Sequence, residues 1–100
     1  MIEALRLARA YGVTVSFADL GDWGQAQLYA EYEPRGPSIR INARIVRALA
    51  PALLRRLVAR AVGHELYHHR EQIGEITTER DARARERAAD EYARRLDGAS

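Results

Sequence analysis

The sequence contains no cysteine, which excludes disulfides and thiolate metal sites. Any metal must therefore be held by nitrogen and oxygen ligands. Lysine is absent as well: all sixteen basic residues are arginine, set against fourteen acids for a net charge of +2. A nucleic-acid footprint needs basic residues clustered without acids between them. The interleaving here reads instead as a solvated, ion-paired surface, and nucleic acid is not expected as a partner. No apolar run is long enough to span a bilayer, so no membrane segment is expected. The opening MIEALRLARAYG is interrupted by Glu3, Arg6 and Arg9, whereas a secretion signal needs an unbroken apolar stretch. A cytoplasmic protein is the expectation. Repeats, low-complexity runs and linkers are also lacking, and one hundred residues suit a single domain, 1–100, with one modest core.

What is present is 47% apolar and 30% charged, the balance of a globular chain rich in helix. Ile2, Leu5, Ala8 and Tyr11 fall at helical spacing, and Gly12 follows as a stop. Val13, Val15 and Phe17 alternate with Thr14 and Ser16, which predicts a short half-buried strand. Residues 19–24 carry turn chemistry. Gln27 to Glu33 alternates again, with Leu28, Ala30 and Tyr32 on one face, and Pro34 to Pro37 makes a tight break. Ile39 and Ile41 mark a third strand, and Asn42 is a candidate N-cap for a short helix from Ala43.

Pro51 suits the first turn of a long helix that reaches about Arg70. Glu71 to Thr77 reads as a loop around Gly74. Thr78 with Asp81 resembles a capping box for a last helix running to about Leu96, with Gly98 as its C-cap.

The decisive segment is His64-Glu65-Leu66-Tyr67-His68, an HExxH motif. Residues four apart share a helix face, with Cβ atoms about 6 Å apart, so two imidazoles converge on one tetrahedral ion. Glu65, rotated by about 100°, can reach a metal-bound water without ligating the metal. Zinc lowers that water's pKa to roughly 7, and a nearby carboxylate takes its proton. Leu54, Leu57, Val58 and Ala61 form an apolar stripe that leads straight to His64 and His68. Polar side chains on a core-facing stripe require a reason.

Two histidines leave zinc short of a ligand. His69, the only other histidine, points about 100° away from His68. Glu86 is the best carboxylate. Ala82, Ala89 and Ala93 form the inward stripe of the last helix, so Glu86 and Asp90 are expected to face inward too. Asp90 is then placed to accept the free N–H of a ligand histidine and fix its tautomer.

HELYH, followed after an interval by Glu86-Arg87-Ala88-Ala89-Asp90, is similar to the gluzincin arrangement of HExxH and then ExxxD on a following helix. The segment from Glu86 to Leu96 resembles the second motif of the ImmA/IrrE metallopeptidases, and the chain has the size of the minigluzincins. The resemblance covers about residues 13 to 96. It implies a zincin-like α+β fold, with a small sheet packed on the HExxH helix and the glutamate helix. It also implies a zinc endopeptidase with His64, His68 and Glu86 as ligands and Glu65 as general base. An edge strand, Gln27–Glu33 or Ser38–Asn42, would align an extended polypeptide. The family's habit of cleaving helix-turn-helix repressors implies such a regulatory substrate.

Two features depart from the family. Glycine usually stands where this chain has Tyr67, and a ring there would repack the helix or narrow the cleft. The group that polarises the scissile carbonyl is also not evident, the choices being His69, Tyr67, Tyr92 or an arginine. The alternative reading is a metal-binding module, or a latent zincin with little turnover.

Overall fold

The computed structural model describes residues 2–21, 29–47 and 49–99. Along these the chain forms α1 (Glu3–Ala10), β1 (Thr14–Ala18), β2 (Ala30–Glu33), β3 (Ser38–Asn42), α2 (Ala43–Val46), α3 (Pro51–Gln72) and α4 (Ala82–Gly98). The architecture is α+β: one small sheet packed with helices. Leu28, placed above on the face of Ala30 and Tyr32, and residues 22–24 of the turn segment lie outside the described residues.

Gly12, at φ 71°, ends α1 in a left-handed conformation that costs other residues more. The sheet order is β1-β3-β2, with β1 parallel and β2 antiparallel to β3. β3 is thus central, and its Ile39 and Ile41 are fully buried. Ala30 and Tyr32 face inward as their alternation predicts. Phe17 does not follow Val13 and Val15 into the core and is 54% exposed. β1 is an edge strand, and Phe17 lies at its end remote from the α1–β1 connection.

Asn42 is buried and caps α2, accepting from the Arg44 backbone N–H at 3.2 Å. Its amide also donates to the Gly21 carbonyl at 3.1 Å, tying the segment after β1 to the sheet.

The long helix α3 is the spine of the fold. Its Val58, Val62 and Leu66 join the core formed with α1 and the sheet, while α4 packs along another side. A helix flanked on several sides is buried around most of its circumference, and Ala59, Gly63, Tyr67 and His69 are buried as well. The helix continues past Arg70 to Gln72. Gly74, at φ 83°, then terminates it with Gly74 N–H donating to the Glu71 carbonyl at 3.1 Å and Glu75 N–H to the Arg70 carbonyl at 2.9 Å. Glu71 therefore belongs to the helix and not to a loop.

At α4 the cap is Asp81 itself, whose carboxylate accepts from the Ala84 N–H at 3.1 Å; Thr78 lies outside the helix. Gly98 sits in the last turn and Ala99 is the C-cap. Ala89 and Ala93 are buried, whereas Ala82 is exposed in the first turn. Among the described residues no helix is long and apolar enough to cross a membrane.

The helices α3 and α4 are in close contact at Gly63. A Cβ there would lie 2.9 Å from Ala93 Cα and 3.1 Å from Ala93 Cβ. Gly63→Ala gains about 1 kcal/mol of helix propensity but forces the α4 backbone aside. The expected result is a net loss of about 1–3 kcal/mol in a denaturant titration. A variant as stable as the wild type would show that the two helices separate freely.

Candidate metal centre

His64 and His68 stand on one face of α3 with Glu65 beside them on the cleft wall, and α4 brings Glu86 and Asp90 to the same cleft. The two Nε2 atoms are 3.3 Å apart. Glu86 places Oε2 2.8 Å from His64 Nε2 and Oε1 3.5 Å from His68 Nε2. One ligand atom from each of the three residues lies within 4.8 Å of the others. A tetrahedral zinc with bonds of about 2.0–2.1 Å needs ligand atoms about 3.3 Å apart. The donor set fits that requirement, with the His64–Glu86 contact somewhat contracted.

The remaining ring nitrogens explain why these atoms converge. His64 Nδ1 meets Asp90 Oδ1 at 2.7 Å, and His68 Nδ1 meets Glu71 Oε1 at 2.7 Å. An ionised carboxylate only accepts, so both Nδ1 atoms carry the proton and donate. Both Nε2 lone pairs then point into one gap beside a third acceptor, Glu86. Three acceptors this close require a cation or a proton among them.

Asp90 thus reaches the histidine as its position one turn after Glu86 suggests. Glu86 and Asp90 differ from expectation in one respect. Neither is buried: the Glu86 side chain is 54% exposed, so the pair faces the mouth of a cleft and not the core.

Glu71 is the residue of this cluster that sequence reasoning missed. Its side chain is buried and is gripped by Arg85, whose Nε lies 3.0 Å away. Burial raises the pKa of such a carboxyl, but the bonds from Arg85 and His68 outweigh burial and hold it below the usual range. A signal existed: Glu71 follows His68 by three residues and His64 by seven, and so shares their face.

Burial dominates the environment of Glu65 and pushes its pKa from 4.5 up to about 7; His64 and Arg85 pull it down, and Glu86 pushes it up. A dication in the gap would act in the same direction as His64.

His69 is buried on another side of α3, with Nδ1 2.7 Å from the Tyr32 hydroxyl and its ring edge-on to Tyr11 and Tyr32. Burial lowers its pKa. It takes no part in the ligand group. Tyr67 is buried against Tyr92 and His68, with ring centroids 5.8 and 5.9 Å away, and it does not line the cleft. The ring therefore packs against His68 and Tyr92, away from the cleft walls. Tyr92 accepts a bond from Arg70 at 3.3 Å and is likewise outside the cleft.

The cleft, of about 880 Å³, lies between β2 and the helices α3 and α4. β3 is the central strand, so of the two candidate edges only β2 borders it. Tyr32, Arg56 and Arg60 are among its walls. Comparison with protein-family models, with curated proteins and with solved structures found no match to this chain.

Two outcomes are expected. Glu71→Gln lowers zinc affinity about 10–100-fold in chelator competition, because the His68 ring loses its anionic partner; unchanged affinity would make Glu71 a packing residue only. Metal-free Glu65→Gln is more stable than the metal-free wild type at pH 8, by about 1–3 kcal/mol. A carboxyl with a raised folded-state pKa favours folding fully below its unfolded value and loses that contribution as pH rises through the folded one. The difference therefore vanishes below pH 4.5. Thermal melts across pH, with chelator present, measure it; a pH-independent gap would refute the burial argument.

Proposed function

We propose that this chain is a zinc-dependent endopeptidase of zincin-like architecture, similar to the ImmA/IrrE metallopeptidases. The observation that carries the reading is the convergence of His64, His68 and Glu86 within 4.8 Å, on a cleft that Glu65 also lines. Two histidines and one glutamate suit a catalytic zinc site that keeps a position open. When bound, zinc supplies Lewis acidity, acidifying a water to a pKa of about 7 and polarising a carbonyl oxygen.

Glu65 takes the proton of the attacking water on a carboxylate oxygen and delivers it to the departing amide nitrogen. Its semi-buried setting keeps its proton affinity close to that needed near neutral pH. Asp90 and Glu71 hold the histidine Nδ1 protons, which keeps both Nε2 atoms available as ligands.

The outer edge of β2 supports an extended substrate. Asn42 N–H donates to the Tyr29 carbonyl at 2.8 Å, which makes Tyr29–Asn42 and Glu31–Arg40 hydrogen-bonded pairs of the ladder. The backbone groups of Ala30 and Tyr32 then point away from β3, towards the cleft side. A peptide strand pairs there with little demand on its side chains. An unfolded or extended stretch of a regulatory protein, a helix-turn-helix repressor included, is the substrate that the resemblance suggests.

A second reading, a metal-binding module with little turnover, is favoured by one observation. His69, Tyr67 and Tyr92 all lie off the cleft and the Tyr32 hydroxyl is engaged by His69, leaving, among the described residues, Tyr29 and two arginines as groups able to polarise a carbonyl.

Glu65→Gln decides between them. It should retain one zinc per chain and lose nearly all hydrolysis of denatured protein, while His64→Ala and His68→Ala lose the zinc itself. Wild-type hydrolysis should also fall with decreasing pH as Glu65 takes up its proton. Equal cleavage by wild type and Glu65→Gln, or full zinc retention in both histidine variants, would overturn the assignment. Zinc binding without cleavage would establish the binding module.

A further inference from the structure

The cleft extends well beyond the ligand group. Leu53, Arg56, Leu57, Arg60 and Ala61 precede His64 on α3 at helical spacing and share its wall. Leu53 is 57% exposed, and Tyr29 stands exposed where β2 begins. Large apolar side chains left open to water inside a concave site are placed for a ligand.

This end is also positively charged. Arg60 and Arg56 both turn to one carboxylate, Asp97 in the last turn of α4, with Nε atoms 2.9 and 3.7 Å away. One anion facing two guanidinium groups leaves an excess of positive charge, and the Arg56 side chain is 71% exposed. The other end carries Glu65, Glu86 and Asp90. Glu31, the remaining acid among the described residues of the walls, is paired with Arg40 on the sheet. The cleft is thus polarised along α3, with an apolar wall beside its cationic end.

We infer that the cleft selects an extended polypeptide segment in which an apolar residue neighbours an Asp or Glu side chain. The apolar residue lies against Leu53 and Leu57, and the carboxylate meets Arg56. The inference rests on the peptidase reading above and names its substrate class. Helix rise puts Leu57 and Arg56 about 10 and 12 Å from His64, the span of about three to four residues of extended chain. The acidic residue therefore falls within about four positions of the scissile bond. Charge complementarity of this kind adds selectivity and speeds encounter more than it adds affinity.

The test uses quenched peptides with amidated C-termini. One position is scanned on both sides of the scissile bond as Glu, Gln or Lys, next to Leu or Ala. Wild-type protein with zinc should cleave the Leu–Glu peptides with kcat/KM about fivefold above the Leu–Gln series, the scale of a partly exposed ion pair. Arg56→Glu should invert the order so that Lys exceeds Glu. Leu53→Ala should weaken the preference for Leu over Ala and keep the preference for Glu. Both positions are exposed, and thermal melts check that the variants fold.

Binding of the same peptides to zinc-loaded Glu65→Gln, read by fluorescence anisotropy, gives the ranking without turnover. No cleavage, together with Arg56-dependent binding of Glu peptides, would remove the peptidase reading and leave the selection standing. Cleavage indifferent to Glu, Gln and Lys, or a Glu preference that survives Arg56→Glu, would overturn the selection and leave the peptidase. A protein that neither cleaves nor binds the series overturns both.

Discussion

At Gly63 the α4 backbone lies against α3 where a side chain would otherwise stand, and the absence of that side chain lets the two helices approach. Every ligand atom depends on that approach. His64 is the next residue, His68 lies one turn on, and Glu86 and Asp90 belong to the opposing helix. Ala89 and Ala93 supply the matching small surface. The seam is laced at both ends: Arg60 of α3 reaches Asp97 of α4, and Arg85 of α4 reaches Glu71 of α3. Packing fixes the separation, and the ion pairs fix the sliding register along it.

Glu71 shows how this scaffold and the candidate chemistry are joined. A buried carboxylate is costly unless its oxygens are satisfied. Here one side chain satisfies the guanidinium next to Glu86 in sequence and the imidazole of His68 together. A displacement of α4 would therefore disturb a buried charge as well as an apolar contact. That coupling holds the group in a single arrangement before any ion arrives.

The amino-acid pattern reported some of this plainly. The stripe from Leu54 to Ala61 led to His64 and His68 on one face. Asn42 capped its helix, and Asp90 met the histidine one turn from its neighbour Glu86. Less legible were features decided by what lies alongside. A helix surrounded by a sheet and two helices has no single inward stripe, so Tyr67 and His69 are buried on sides that a one-face reading assigns elsewhere. Gly74 does end α3, but its left-handed turn lies beyond Glu71, and the loop reading began too early. Phe17 continues an alternation that the tertiary structure does not cover. Thr78 is outranked as a cap by Asp81, whose carboxylate is the better acceptor for a helix N–H.

Glu86 is more than half exposed, and this has a consequence for exchange kinetics. One carboxylate of the ligand group can swing into solvent while the two histidines, braced by Asp90 and Glu71, stay in place. An ion bound there would leave or enter by that single side-chain movement, with no opening of the fold. Its residence time would then be set by one rotamer change and by the strength of the remaining bonds. The fraction of molecules carrying a given ion would follow the free-metal concentration around the protein, so two divalent ions would compete at equilibrium instead of being trapped in order of arrival.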